Sequence, residues 1–137
     1  MAAIRMRVEP VESLANKRRQ RAADADQLLQ DVFASAVAIA NDGSWQGLAL
    51  VAVGGYGRSE LSPASDLEVV LLHDPAIAEE RIRAVAEAIW YPVWESGLAL
   101  DHSVRDTVQM RQAALEDYRA ATGMLDARHV TGDSALV

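Results

Sequence analysis

An α/β domain built on one small sheet is predicted for this chain by three observations. Short apolar runs of strand length alternate with amphipathic helical stretches. The breaks between them are brief and carry glycine, proline, asparagine or aspartate. No repeat, low-complexity tract or linker interrupts the alternation, and 137 residues suit a single domain with a real core.

The order expected is α–β–α–β–α–β–α. From Ser13 to Ala40 the apolar residues Ala25, Leu28, Leu29, Val32, Phe33, Ala36, Val37 and Ala40 recur at three- and four-residue steps, and Asn41-Asp42-Gly43 stops that helix. A strand over Leu48–Val53 leads to the pair Gly54-Gly55, then to a short helical stretch near Arg58–Leu61 closed by Pro63. A second strand spans Asp66–Leu72. Asp74-Pro75 is expected to start a helix, with Asp as N-cap and Pro at the first position. Its stripe is Ile82, Val85, Ala86, Ile89, Trp90 and Val93, and Ser96-Gly97 ends it. Leu98–Arg105 reads as a third strand, after which Asp106 caps a last helix running towards Tyr118. The expected division is an N-terminal helix over residues 1–45 and a core over 46–137.

Composition narrows the function classes. A formal charge of −7 lacks the basic footprint of a protein that grips a nucleic-acid polymer, so a protein or small-molecule acceptor fits better. The absence of cysteine excludes a disulfide framework, a thiolate metal site and a cysteine nucleophile. No apolar run approaches the roughly 20 residues of a membrane span, and the basic start leads into a polar, charged helix rather than a secretory signal. No membrane association is expected, and cytoplasm is the default location.

The chemistry concentrates between Val51 and His73. Side chains alternate faces along a strand, so Asp66 and Glu68 share one face while Leu67, Val69 and Leu71 take the other. Two carboxylates beside a glycine turn at a strand end can hold a divalent metal against a phosphate cradled by backbone N–H groups. The bland alternative is a pair of solvated acids at a strand edge. Gly54 and Gly55 let backbone approach a phosphate. Arg58 is the nearest cation, for the triphosphate or for a surface pair with Glu60. Tyr56 stacks or hydrogen bonds, or packs the turn, and Ser65 caps the approach to Asp66 or meets a phosphate. The group Lys17, Arg18, Arg19 and Arg21 reads as a solvated helix face; Trp90 and Trp94, one helical turn apart, read as core or interface. His73 and His129 have no partner spacing.

The residues Gly54-Gly55-Tyr56-Gly57-Arg58, Glu60-Leu61, Pro63 and Ser65-Asp66 carry a resemblance to the nucleotidyltransferase superfamily. With Asp101-His102-Ser103-Val104-Arg105, Leu125-Asp126-Ala127-Arg128-His129 and Gly132-Asp133, the chain from about Leu28 to Val137 resembles the N-terminal domain of bifunctional PII uridylyltransferase/uridylyl-removing enzymes. The resemblance implies a polymerase-beta-like fold, a small mixed sheet flanked by helices. It implies magnesium, with manganese as the alternative, held by Asp66, Glu68 and a third acid on a neighbouring strand. Alternation in Leu98–Arg105 puts Asp101, Ser103 and Arg105 on one face and His102 on the apolar one, so Asp101 is the candidate, as metal ligand or as base. Its alternative is a strand-end ion pair with Arg105. Gly54, Gly55, Arg58 and Ser65 would serve the nucleotide, UTP or ATP, and the acceptor would be a tyrosine of the PII protein. The family usually carries Asp where this chain has Glu68, whose extra methylene shifts the carboxylate by roughly 1 Å, a displacement that costs about 10²-fold in a tuned site. That departure keeps a degenerate nucleotide-binding domain in view. The family's HD and ACT domains find no counterpart in these residues, so nucleotide addition without removal is expected of them.

Overall fold

The computed structural model describes residues 11–63, 65–116 and 127–137. A four-stranded mixed sheet is covered on one face by two long helices, in the α/β class expected. The elements are α1 (Val11–Ala40), β1 (Leu48–Ala52), α2 (Gly54–Gly57), β2 (Leu67–His73), α3 (Glu79–Glu95), β3 (Leu100–Asp106), α4 (Thr107–Glu116) and β4 (Arg128–Gly132), followed by a 3-10 turn at Ser134–Leu136.

Strand order is β3-β2-β1-β4. β1 runs antiparallel to both its neighbours, whereas β2 and β3 are parallel. A parallel pair needs a crossover, and α3 supplies it. β1 lies between two partners and is buried at every residue, which suits its unbroken Leu-Ala-Leu-Val-Ala run. The main core lies between the sheet face carrying Leu48, Leu50, Ala52, Leu67, Val69 and Leu71 and the stripes of α1 and α3. Those stripes include the residues that the helical periodicity selects: Leu29, Phe33 and Val37 on α1, Val85, Ile89 and Val93 on α3. Behind the sheet sits a smaller cluster of Val51, Val70 and Leu72, joined by Met110 and Leu136.

Helix ends explain themselves locally, with one correction. α1 stops where Asp42 and Gly43 both take positive φ and the Gly43 N–H returns to the Val37 carbonyl. The Asn41 amide, one of few buried polar groups, donates to Ser44 O at 2.6 Å and accepts from Arg81 at 3.1 Å, tying α1 to α3. Asp106 and Gln109 exchange side chain-to-backbone bonds at 2.7 and 2.9 Å, a capping box at the start of α4. Asp74, by contrast, caps no helix. Its carboxylate accepts from the Ala76 N–H and its carbonyl from Ile77, closing a turn, and α3 begins only at Glu79. The turn residues take the Asp-Pro signal for themselves.

Two further departures concern short elements. The helical turn after β1 is Gly54–Gly57, not Arg58–Leu61, and Arg58 is its C-cap. Glycine is a poor helix former, and tertiary contacts of Tyr56 described below hold the turn instead. β4 is a strand where no element was expected: only Val130 of its five residues is buried, which leaves little apolar pattern to read. Gly132 has φ +92 and lies so close to β1 that a Cβ would sit 2.9 Å from both Ala49 Cα and the Phe33 ring tip. Continuation of α4 past Tyr118, and residues Leu125 and Asp126, lie outside the described residues. Among the described residues no helix is long and apolar enough to cross a membrane.

Candidate functional site

β2 and β3 bring the predicted acids together. In the parallel register Glu68 pairs with Asp101, Val70 with Ser103 and Leu72 with Arg105. Paired residues of neighbouring strands share a face and lie about 4.8 Å apart. Val70 and Leu72 belong to the smaller cluster, so Glu68 and Asp101 stand on that side of the sheet, away from α1 and α3. Asp66 lies two positions before Glu68, just ahead of β2, where the Leu67 N–H is anchored on the Ala99 carbonyl at 2.8 Å. Asp66 and Asp101 are exposed and Glu68 is half-buried.

The glycine turn meets these acids at Glu68. The Val53 N–H donates to the Glu68 carbonyl at 3.0 Å, and the turn closes with Gly57 N–H on Val53 O at 2.9 Å. Gly54 has φ +60, and a Cβ there would overlap Glu68 Oε2 and lie 2.7 Å from Cδ. The Glu68 carboxylate therefore lies against the bare Cα of Gly54. Gly55 is different: a Cβ would meet Arg58 Nη2 and Glu60 O at 3.6 Å, ordinary contact distances, so packing does not demand glycine there. The Arg58 guanidinium thus reaches over Gly55, while the Arg58 backbone N–H donates to Gly54 O and Gly55 O at 3.2 Å each. Ser65 is exposed, its N–H on Ser62 O and its hydroxyl on the Ser62 hydroxyl.

Hard carboxylate oxygens are the donor set that magnesium takes. Among the described residues, however, no three His, Cys, Asp or Glu side chains converge as a metal cage. The Glu68 carboxylate rests on Gly54, and an ion shared by all three acids would need their side chains to rearrange. Two hollows lie elsewhere. One of about 240 Å³ is lined by Arg21, Asp24, Leu61, Ser65 and Leu98, and one of about 420 Å³ by Phe33, Val37, Trp45 and Gly132. Neither is lined by Asp66, Glu68 or Asp101.

Tyr56, in the middle of the turn, is buried. Its hydroxyl donates to Asp26 Oδ1 at 2.5 Å. Arg128 grips the same carboxylate with both ends of its fork, at 2.7 and 3.1 Å, and donates to the Tyr56 carbonyl at 3.1 Å. Its guanidinium carbon lies 5.3 Å from the Tyr56 ring centre. Burial, helped by the Asp26 hydrogen bond and charge, pushes the Tyr56 hydroxyl far above the ordinary tyrosine range, and Asp26 holds Arg128 more firmly protonated. Sequence reasoning missed Asp26. Its signal was available: an acid four residues after Ala22 and three before Leu29, on the buried stripe of α1, needs a buried partner.

The remaining residues have structural places. His102 pairs in register with Val69 on the helix-covered side, its ring 4.9 Å from Trp90 and 5.3 Å from Trp94. His73 and His129 bond nearby carbonyls, of Asp74 and Gly132, at 2.9 Å each. Asp133 accepts from the Gly47 N–H at 2.9 Å and so fastens β4 to the start of β1. Lys17, Arg18 and Arg19 are exposed.

No family model matches the chain. Curated relatives do. The bifunctional uridylyltransferase/uridylyl-removing enzyme of Streptomyces coelicolor is 44% identical over 135 residues, covering 98% of this chain and 15% of that enzyme. Enzymes of the same name from Mycobacterium tuberculosis and Corynebacterium glutamicum are 51% and 41% identical over 90 residues, 66% of this chain and 11% and 12% of theirs. The chain therefore spans less than a sixth of the length of these relatives. Over nearly all of its residues it belongs with one segment of the bifunctional uridylyltransferase/uridylyl-removing enzymes.

Proposed function

We propose that this domain is a magnesium-dependent nucleotidyltransferase that moves UMP, or AMP, from a nucleoside triphosphate to a tyrosine of the PII protein. The observation that carries the reading is the register of Glu68 with Asp101, with Asp66 two residues away and the Gly54–Gly57 turn touching Glu68. The relatives' name supplies the uridylyl group; the PII acceptor comes from the motif resemblance. In the reaction the tyrosine oxygen bonds to the α-phosphorus, the bond to the bridging oxygen breaks and pyrophosphate leaves. Asp66, Glu68 and Asp101 would hold the ion, which stabilises the charge developing on phosphate oxygens. Asp101, exposed near the start of β3, would serve either in that ion site or instead as the base for the attacking hydroxyl. At Gly55 packing does not demand glycine, and the bare backbone there is open to the approach of a triphosphate. Arg58, reaching over Gly55, supplies positive charge to the same place.

Incubation with PII, magnesium and labelled UTP or ATP should transfer label to PII, and Asp66→Asn should abolish transfer while leaving the fold intact. Wild-type-like turnover in that variant at equal magnesium would end the assignment. A second reading, a nucleotide-binding domain without turnover, is favoured by Glu68 itself, because its carboxylate rests on Gly54 and, among the described residues, no three acids converge as a metal cage. Glu68→Asp separates the two. If the long side chain limits the reaction, the shorter acid should raise the rate or lower the magnesium requirement; a slower variant means the site is built for Glu.

A further inference from the structure

We infer that Arg128 is a positioning residue for nucleotidyl transfer: by clamping Tyr56 against Asp26 it sets the backbone of the glycine turn. The inference rests on the reading above for its consequence in turnover, though not for the clamp. The turn contains glycine at 54, 55 and 57, and glycine backbone is the softest there is. Four residues of helix carry too few hydrogen bonds to hold themselves in place. Tyr56 is the one residue in Gly54–Gly57 with a side chain; its ring lies in the main core, its carbonyl also accepts from the Ser59 N–H at 3.0 Å, and its polar ties outside the turn lead to two residues. Its hydroxyl reaches Asp26 on α1, and its carbonyl and ring reach Arg128 at the start of β4.

Arg128 stands beside Ala52 in the sheet register, at the end of β1 from which the turn departs. It is thus fixed by the sheet on one side and by a bidentate carboxylate on the other. Lysine cannot reproduce this, because a planar fork serves Asp26 and the Tyr56 carbonyl together whereas an ammonium is a single point charge. Arg128 Nε is buried and finds no partner among the described residues, so Asp26 and Tyr56 define the orientation of the guanidinium. The peptide between Tyr56 and Gly57 keeps its bonds to the Val53 carbonyl and the Ser59 N–H when the fork is released, but it loses its one tie to β4, which loosens the turn and the approach of Gly54 to Glu68.

The test compares Arg128→Lys and Tyr56→Phe with the parent chain, at a temperature where circular dichroism shows each fully folded. Two readouts are taken: amide hydrogen exchange of Gly57–Glu60 against Val70–Leu72, and kcat and KM for the magnesium nucleotide with PII as acceptor. Arg128→Lys should speed exchange in Gly57–Glu60 about 10-fold or more while Val70–Leu72 stay as they were. Its kcat should fall by roughly 10- to 100-fold, more than KM rises, because a turn displaced by about 1 Å spoils alignment in the transition state. Tyr56→Phe, which keeps the ring and carbonyl contacts, should lose less on both readouts. A merely stabilising ion pair would leave kcat of the folded variant unchanged, and that result overturns the positioning role. Unchanged exchange in the turn overturns the clamp itself. No transfer by the parent chain with UTP or ATP overturns the functional reading and the positioning role with it, while the exchange result still decides the clamp.

Discussion

Replacing Gly54 by alanine should cost stability in a way that depends on the residue at position 68. The alanine must adopt φ +60, which costs a residue with a Cβ roughly 1–2 kcal/mol. The new methyl also overlaps Glu68 Oε2 and crowds Cδ at 2.7 Å, so the carboxylate has to leave. It is the far end of a flexible, half-buried side chain, and an off-rotamer displacement adds about 0.5–1.5 kcal/mol. The total is about 1.5–3.5 kcal/mol. In a Glu68→Ala background the obstacle is gone and only the backbone part, roughly 1–2 kcal/mol, should remain. A double-mutant cycle by urea denaturation should therefore return a coupling of about 0.5–1.5 kcal/mol. With m near 1–3 kcal/mol/M, Gly54→Ala alone should lower the urea midpoint by about 1 M. Equal costs in the two backgrounds would show that Glu68 does not rest on the glycine, and the argument for its reorientation would fall with it.

Asp101→Ala should lower turnover by about 10²-fold or more while nucleotide affinity and thermal stability stay near those of the parent, because the residue is exposed and the triphosphate is assigned to the turn. Unchanged turnover returns Asp101 to the end of its strand as a solvated acid. Tyr56 makes the protein sensitive to alkali. Its folded-state hydroxyl ionises above the unfolded one, so the stabilisation is complete below about pH 10 and is lost as pH rises beyond that. Tyr56→Phe should flatten the decline of the urea midpoint between about pH 10 and 12, and an equally steep decline in the variant would refute the assignment.

Much of this protein was legible because strands and helices are periodic over short distances. The alternation in Leu67–His73 and Leu100–Asp106 already sorts Glu68 and Asp101 from His102, since a side chain's face follows from counting along one strand. The stripes of α1 and α3 follow likewise from spacing alone. Where local signals competed, reading failed: Asp74-Pro75 serves a turn equally well as a helix start, and a glycine turn that looks unfit for helix is held as one from outside. β4 has one buried residue and no pattern to declare it. The neighbours of each strand were beyond the sequence, because register is settled by packing of whole elements; only that pairing sets Glu68 beside Asp101. The same holds for the clamp on Tyr56. Asp26 and Arg128 lie 102 residues apart, and no local rule joins an acid on a helix stripe to an arginine at a strand end. Their union is decided in the folded core, where a shielded carboxylate must be met by a partner and the chain brings this one within reach.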